Sequence, residues 1–518
     1  LFVLEKEQNE QGLRLCLLCS FFCDTKAKSY QRQEEIYMYD VAIIGCGVVG
    51  AATAYALSRY DMKVVVLEAE NDVAEGATKA NSAILHAGFD PEPNTSMARL
   101  NVDGIALAKQ ICDRLDVPYK ICGSLVLALS PEELPHLQHL YDNGIANGVP
   151  DIHLLSAEET LQREPNLSKT VQGALWAPSA GIISPWEYAL AMIEVAVRNG
   201  VELRRSCPVS NIRKKDGVFS VSIPSDTVEA KYVINAAGVY SDKIHNMICK
   251  PSFHIIPTRG EYYVLDKNEG ELVHSTIFQC PSKVGKGVLV SPTVDGNLIV
   301  GPNAEEVGPE DRGCTAAGLS FIAETARRSV PGFSLGDSIR NFAGVRANVD
   351  TGDFIIGEAP DVENFIDLAG IKSPGLSSSA AIALEVIKIF QKKRVLPEKK
   401  KDYKDGRKKI HFKQLSAEEK AKLVHEHPEY GRVICRCETV TEGEILNAIH
   451  SDVPARTIDG VKRRCNAGMG RCQGGFCGPR VLEILCRELH IDPLQVLQDR
   501  DGSYVLESET KQGGKHHV

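Results

Sequence analysis

The 518-residue chain lacks a long hydrophobic run, has few aromatic residues (6%, with two tryptophans) and carries no excess of positive charge. Each absence excludes something. A spanning helix needs about 20 consecutive apolar residues, and the nearest candidate, RLCLLCSFFC at 14–23, falls well short. Membrane contact is therefore expected to be at most peripheral, at the inner face, or made through a partner. A formal net charge of −9 argues against a general nucleic-acid binder. No internal repeat is visible, and no methionine stands at position 1. Residues 1–37 show no domain pattern, so Met38 is the expected working start behind an extension without a fold. Cysteine, by contrast, is plentiful. Sixteen in a chain of this length do not make a small secreted disulfide framework. They point to a reducing, cytoplasmic setting in which some thiols hold a metal or cluster.

What is present starts with residues 39–68, YDVAIIGCGVVGAATAYALSRYDMKVVVLE. The run 41–44 predicts a buried parallel strand, 51–58 a helix and 63–67 a second strand, which together form a βαβ unit. Gly45-Cys46-Gly47-Val48-Val49-Gly50 opens that helix with the spacing of a dinucleotide-binding turn. Gly45 permits the tight turn, Gly47 lets the backbone approach a pyrophosphate, and Gly50 lets helix and strand pack closely. The pyrophosphate is expected on the helix N-terminus at Val48, with Glu68 and then Ala69 beside the adenosine ribose.

Further along, residues 75–88 form a small-residue loop with one histidine, His86, and 97–115 has helical periodicity. Ser130-Pro-Glu-Glu133 and Ser156-Ala-Glu-Glu159 both read as capping boxes. Alternating runs at 218–223 and 227–231 precede an apolar strand, 232–238, that returns beside the βαβ unit. Several alternating runs between 254 and 300 predict a mostly antiparallel sheet walling a substrate cavity. A second loop-to-helix start, ending in Gly375-Leu376-Ser377, offers exposed amides to another part of an extended cofactor. Lysine-dense residues 391–413 read as a solvated linker.

The tail carries the other strong pattern, Cys435-Arg-Cys437 and Cys472-Gln-Gly-Gly-Phe-Cys477. Four thiolates suit a [2Fe–2S] cluster or zinc. A C-x-C pair is uncommon at zinc, and the glycines at 468, 470, 474 and 475 let backbone amides reach cluster sulfurs, so the iron–sulfur reading is preferred and zinc is the alternative.

Together YDVAIIGCGVVGAATAYAL, NSAILHAGF, VINAAGVYSDKI, FAGVR and GIKSPGLSSSAAIA resemble the FAD-dependent oxidoreductases of the D-amino-acid oxidase and glycerol-3-phosphate dehydrogenase superfamily. The tail resembles the bacterioferritin-associated-ferredoxin type [2Fe–2S] domain. The fold class this implies is α/β (α+β overall): a Rossmann-like FAD-binding domain with an inserted, mostly antiparallel substrate-domain sheet, plus a small C-terminal helical iron–sulfur domain. The implied boundaries are 38–390 for the oxidoreductase, 391–431 for a basic linker, 432–497 for the cluster domain and 498–518 for a tail. Within the first, FAD-binding parts fall at 38–120, 185–250 and 340–390, and substrate parts at 121–184 and 251–339.

The resemblance implies FAD and a [2Fe–2S] cluster as cofactors. Gly45, Gly47, Gly50 and Glu68 hold the ADP half. Ser82 and the loop to His86 approach the flavin, Val209 meets adenine, and Ala237 and Gly238 line the pyrophosphate side. Gly375, Leu376 and Ser377 approach the ribityl chain and ring. The implied reaction is hydride transfer from a small anionic secondary alcohol. Arg259 and Arg346 are the candidate anion clamps, and His86 is either the base or a hydrogen-bonding partner of the flavin. sn-Glycerol 3-phosphate is the first substrate, with electrons leaving through the cluster to an acceptor subunit or quinone-linked partner. L-2-Hydroxyglutarate oxidation competes, since the histidine loop resembles that type. Amino-acid or opine oxidation comes third, and a non-catalytic electron-transfer subunit is the reading from another class.

Overall fold

The computed structural model describes residues 38–281 and 287–510, so the expected extension at 1–37 lies outside the described residues. The strand Met38–Ile44 is the spine of the nucleotide domain. It pairs in parallel with Val64–Leu67 on one side (Ile43 opposite Val66) and with Asp226–Asn235 on the other (Ile43 opposite Ile234). Neighbours on both edges and layers on both faces explain why it reads as an unbroken apolar run. The alternating run 227–231 and the apolar run that follows are one strand that changes partner midway. Its first half pairs antiparallel with Val218–Ile223 and its second half parallel with Phe365–Ala369. Helices Val48–Leu57, Pro185–Arg198, Ser96–Leu115 and Gly375–Lys393 bury one face of this sheet around Leu57, Tyr188 and Phe390.

The second large sheet is centred on Ile255–Leu265, which pairs along its length with Ser338–Val349. On its other edge come Leu298–Gly301, Leu289–Pro292, Thr276–Gln279, Ser124–Ala128, Gly173–Ala177 and His153–Ser156. Every pairing is antiparallel except Thr276–Gln279 with Ser124–Ala128. The FAGVR segment thus belongs to this sheet and not to the nucleotide-binding part beginning at 340. One expected cap also differs. The Ser156 box forms, but Ser130 makes no capping bond, because Glu133 accepts instead from the Leu129 N–H at 2.6 Å and Pro131–Glu133 tightens into a 3₁₀ turn.

A short hairpin (Val433–Cys435 with Val440–Thr441) and helices Glu442–Ile449, Ile458–Cys465 and Gly478–Leu489 make the C-terminal unit. Ile445, Val461 and Leu485 fill its own small core. The lysine-rich stretch before it is largely exposed, but part of it packs onto the oxidoreductase. Arg407 is only 9% exposed, with Nε on Glu194 at 2.6 Å, and Lys409 reaches Glu187 at 2.8 Å. Those glutamates sit on a helix buried on nearly every side, where an unpaired carboxylate is costly, so the basic segment is drawn onto them. The tail is likewise held at its start, where Asp499 takes Arg463 at 2.7 Å. No helix of the described residues is long and apolar enough to cross a membrane.

Candidate active site

A cavity of about 1030 Å³ opens at the carboxyl ends of Met38–Ile44 and Val64–Leu67 and runs to the antiparallel sheet. It is at the top of the roughly 300–1,000 Å³ range of ordinary small-molecule sites, which suits a dinucleotide with room for a substrate. Gly45 takes φ +97°, and a Cβ there would lie 2.6 Å from the Ala236 carbonyl oxygen. A Cβ on Gly50 would overlap the Gly45 carbonyl oxygen. Gly47 faces the Thr78 hydroxyl, which accepts the Val48 N–H at 2.9 Å. Glu68 accepts from the backbone N–H of Cys46 at 2.6 Å and of Glu70 at 3.0 Å. Burial pushes its carboxyl up to about 7 against the pull of those two amides. Ala69, Val209, Ala237 and Gly238 line the same cavity. A flavin dinucleotide fits this set: the missing Cβ atoms leave a cradle of backbone, and a buried acid stands where the ribose would lie.

At the other end Ser82, His86, Gly375 and Leu376 line the cavity with Tyr262 and Arg346. Ser377 lies behind them, fully buried, its hydroxyl accepting the His86 N–H at 2.8 Å. The His86 ring sits 3.2 Å from the Ser373 hydroxyl through Nε2 and 5.9 Å, centroid to centroid, from Phe278. Strand alternation allowed only one of Tyr262 and Tyr263 to face inward, and it is Tyr262. Its hydroxyl is 3.0 Å from Ser82 Oγ and its ring stacks on Phe342 at 4.7 Å. Burial pushes the Tyr262 phenol up, and nearby Arg346 pulls it the other way.

The two expected clamps part company. Arg346 lines the cavity, donates from Nη2 to the Asn303 carbonyl oxygen at 2.7 Å, and has a buried Nε with no partner among the described residues. Arg259 is absent from the lining and is committed to carboxylates: Glu305 at 2.6 Å, Asp311 at 2.7 Å and Glu261 at 3.4 Å. Its strand position pairs it with Glu305, an edge-strand residue that does line the cavity. Thr78, Ser373 and Asn303 were not singled out in the sequence. Only Thr78 and Ser373 lie inside the quoted loops, and nothing in their spacing marks them.

In the C-terminal unit the four cysteines converge as two pairs. Cys437 and Cys472 have their sulfurs 3.6 Å apart, and the free thiols of Cys435 and Cys477 share a hydrogen bond. Tetrahedral ligation at about 2.3 Å puts two sulfurs on one ion roughly 3.7 Å apart. Among the described residues no three or more candidate ligand side chains gather to hold a single ion. Two pairs rather than one tetrahedral group fit two irons better than one zinc. Amides of Gly468 and Glu438 point at the Cys435 sulfur, and those of Gly474 and Phe476 at Cys472, as a cluster's sulfurs require. The unit is pinned to the flavin side through Asp72, on the loop after the second strand. Asp72 takes Arg464 at 2.8 Å with both oxygens and Arg463 at 2.9 Å.

Residues 40–389 match the profile of the FAD dependent oxidoreductases (DAO), and 433–487 match that of the BFD-like [2Fe-2S] binding domain. A glycerol 3-phosphate dehydrogenase from Caloramator mitchellensis is 51% identical over 476 residues, covering 92% of this chain and 99% of that protein. An L-2-hydroxyglutarate dehydrogenase from Bos taurus is 30% identical, covering 68% of this chain and 88% of that one. Among solved structures, the dithionite-reduced L-alpha-glycerophosphate oxidase from Mycoplasma pneumoniae with FAD bound superposes with a TM-score of 0.68. It is 34% identical and covers 71% of this chain and 98% of that one.

Proposed function

Because this chain belongs to the FAD dependent oxidoreductase (DAO) family, we propose that it oxidises sn-glycerol 3-phosphate to dihydroxyacetone phosphate and passes the electrons to a partner acceptor. That it is a FAD-dependent oxidoreductase with a [2Fe–2S] domain is the premise. The observation that carries the rest is the extent of likeness to the Caloramator glycerol 3-phosphate dehydrogenase, which runs through both domains. The likeness to the Mycoplasma glycerophosphate oxidase covers 71% of this chain, and 98% of that one is used up in it. The surplus supports a dehydrogenase: a centre that moves one electron at a time serves export to an acceptor, and direct reduction of oxygen has no need of it.

FAD, when bound, supplies the hydride acceptor. The chain's own groups do the rest. Arg346 lines the cavity and is bonded only to backbone carbonyl oxygens, so its planar charged fork is free of carboxylates and suits two oxygens of a phosphate. The hydroxyl proton leaves to His86, whose ring is steered by Ser373 and whose backbone is fixed by Ser377. Tyr262 and Phe342 wall the pocket against water. The Bos taurus likeness and the NSAILHAG loop favour one second reading, a 2-hydroxy diacid substrate. Anaerobic mixing with each compound separately tests the choice. Loss of the flavin absorbance with glycerol 3-phosphate alone is the expected result, and loss with L-2-hydroxyglutarate alone would overturn it.

A further inference from the structure

We propose that the face around Cys437 and Phe476 is the docking surface for an acidic one-electron carrier protein; this deepens the dehydrogenase reading above and rests on its acceptor clause. Of the four ligand cysteines, Cys435 and Cys477 are buried and Cys437 is exposed, so the cluster's outward edge lies at the Cys437 and Cys472 pair. Between Cys472 and Cys477 stands Phe476, 84% exposed and the most exposed large apolar side chain among the described residues. It immediately precedes Cys477, which holds its backbone beside the cluster. An aromatic held in water next to a redox centre is the anchor pattern of a protein interface.

The rim supplies the partner's charge. Arg436 lies between the two C-x-C ligands, Arg471 precedes Cys472, and Arg480 is on the first turn of the helix after Cys477. Arg340 reaches Gln473 at 3.3 Å. Arg471 and Arg480 carry carboxylate neighbours, Asp266 and Glu483. Arg340 and Arg436 have no carboxylate partner among the described residues. The face therefore keeps a positive excess on a chain whose formal net charge is −9. Such a patch steers an acidic partner and rejects a basic one. Small, salt-sensitive contacts are typical of redox encounters. Each encounter would move one electron: the reduced cluster would be oxidised by one and the carrier's redox centre reduced by one, with no proton moved and no bond changed.

The test uses the full-length holoprotein reduced with limiting dithionite, so the outcome does not depend on which alcohol it oxidises. Stopped-flow mixing with acidic cytochrome b5 and basic cytochrome c, across ionic strength, gives two rates, and a binding titration with oxidised cytochrome b5 gives an independent affinity. Expected is fast reduction of the acidic protein that falls at least tenfold between low and high salt. R340E/R436E should slow it about tenfold more, weaken the titration and speed the basic protein, and F476A should slow the acidic one without changing the salt slope. Flavin bleaching and dye reduction should be unchanged in both variants. Equal rates with both cytochromes, or charge reversal without effect, would overturn the proposal. So would binding to anionic vesicles that R340E/R436E abolishes, with no discrimination between cytochromes, because that would make the face a lipid-binding one.

Discussion

Asp72→Asn is the substitution with the largest calculable consequence outside the pocket. Asp72 is 2% exposed and bonds Arg464 through both oxygens and Arg463 through one, with Arg205 3.5 Å away. Arg463 keeps Glu75 and Asp499, but Arg464 pairs with no other carboxylate among the described residues. Removing the charge leaves a buried guanidinium uncompensated, which costs about 3–5 kcal/mol. That cost falls on the contact between the flavin-side loop and the helix that leads into the cluster loops, not on either core. Calorimetry should show the C-terminal unit melting first. A unit of 60–100 residues moves by about 4–8 °C per kcal/mol, so the shift should exceed 10 °C. Amide exchange in Ile458–Cys465 should quicken while Met38–Ile44 stays protected. Asp72→Asn with Arg464→Gln should recover part of the loss, since both partners of the pair are then neutral. Burial alone would push the Asp72 carboxyl up, but Arg464 and Arg463 outweigh it and hold it far below the usual carboxylate range. Its contribution is therefore complete above the unfolded value near about 4 and is lost only as pH falls through the lower folded one. A loss under about 1 kcal/mol with unchanged exchange would refute the reasoning.

Three further outcomes follow from the site. Gly50→Ala should purify without flavin absorbance, because its Cβ would overlap the Gly45 carbonyl oxygen. Glu68 titrates the other way from Asp72. Its folded value is raised to about 7, so the stability it contributes to the apoprotein is full below the unfolded value of about 4.3 and lost as pH rises through 7. Denaturant melts should show up to about 4 kcal/mol of that slope in the wild-type apoprotein and none in Glu68→Gln. Arg346→Lys keeps the charge but loses the fork, and steady-state kinetics should show KM for the anionic substrate rising about 10- to 100-fold with a smaller change in kcat.

The nucleotide domain was legible because its signals are local. Gly45, Gly47 and Gly50 answer to clashes within a few residues or with the adjoining strand, and a strand buried on both faces announces itself as VAII or VVVL. The two cysteine motifs stand out for the same reason, since C-x-C and C-x₄-C are short-range patterns, but their pairing across the motifs, Cys437 with Cys472 and Cys435 with Cys477, is set by the fold. Strand alternation also narrowed the choice to Tyr262 or Tyr263, and only the packing of Phe342 against one ring decided it.

Long-range charge is where the sequence was silent. Arg259 and Arg346 both stand within two residues of a glycine on antiparallel strands, and both read as anion clamps. What separates them is distant in the chain: Glu305 and Asp311 claim Arg259, while Arg346 finds only carbonyl oxygens. The basic stretch before the cluster domain departs from a solvated linker at Arg407 and Lys409 for the same reason. Lysine density argues for solvent when no partner is in view, yet Glu187 and Glu194 lie about two hundred residues upstream and draw Arg407 inside. A run of like charge says that a partner is needed, and whether that partner is water or a buried carboxylate is decided by the fold. Asp72 shows the converse. One acidic residue with no motif around it joins the loop that walls the flavin cavity to the helix that leads into the iron–sulfur loops, and no spacing rule could have marked it.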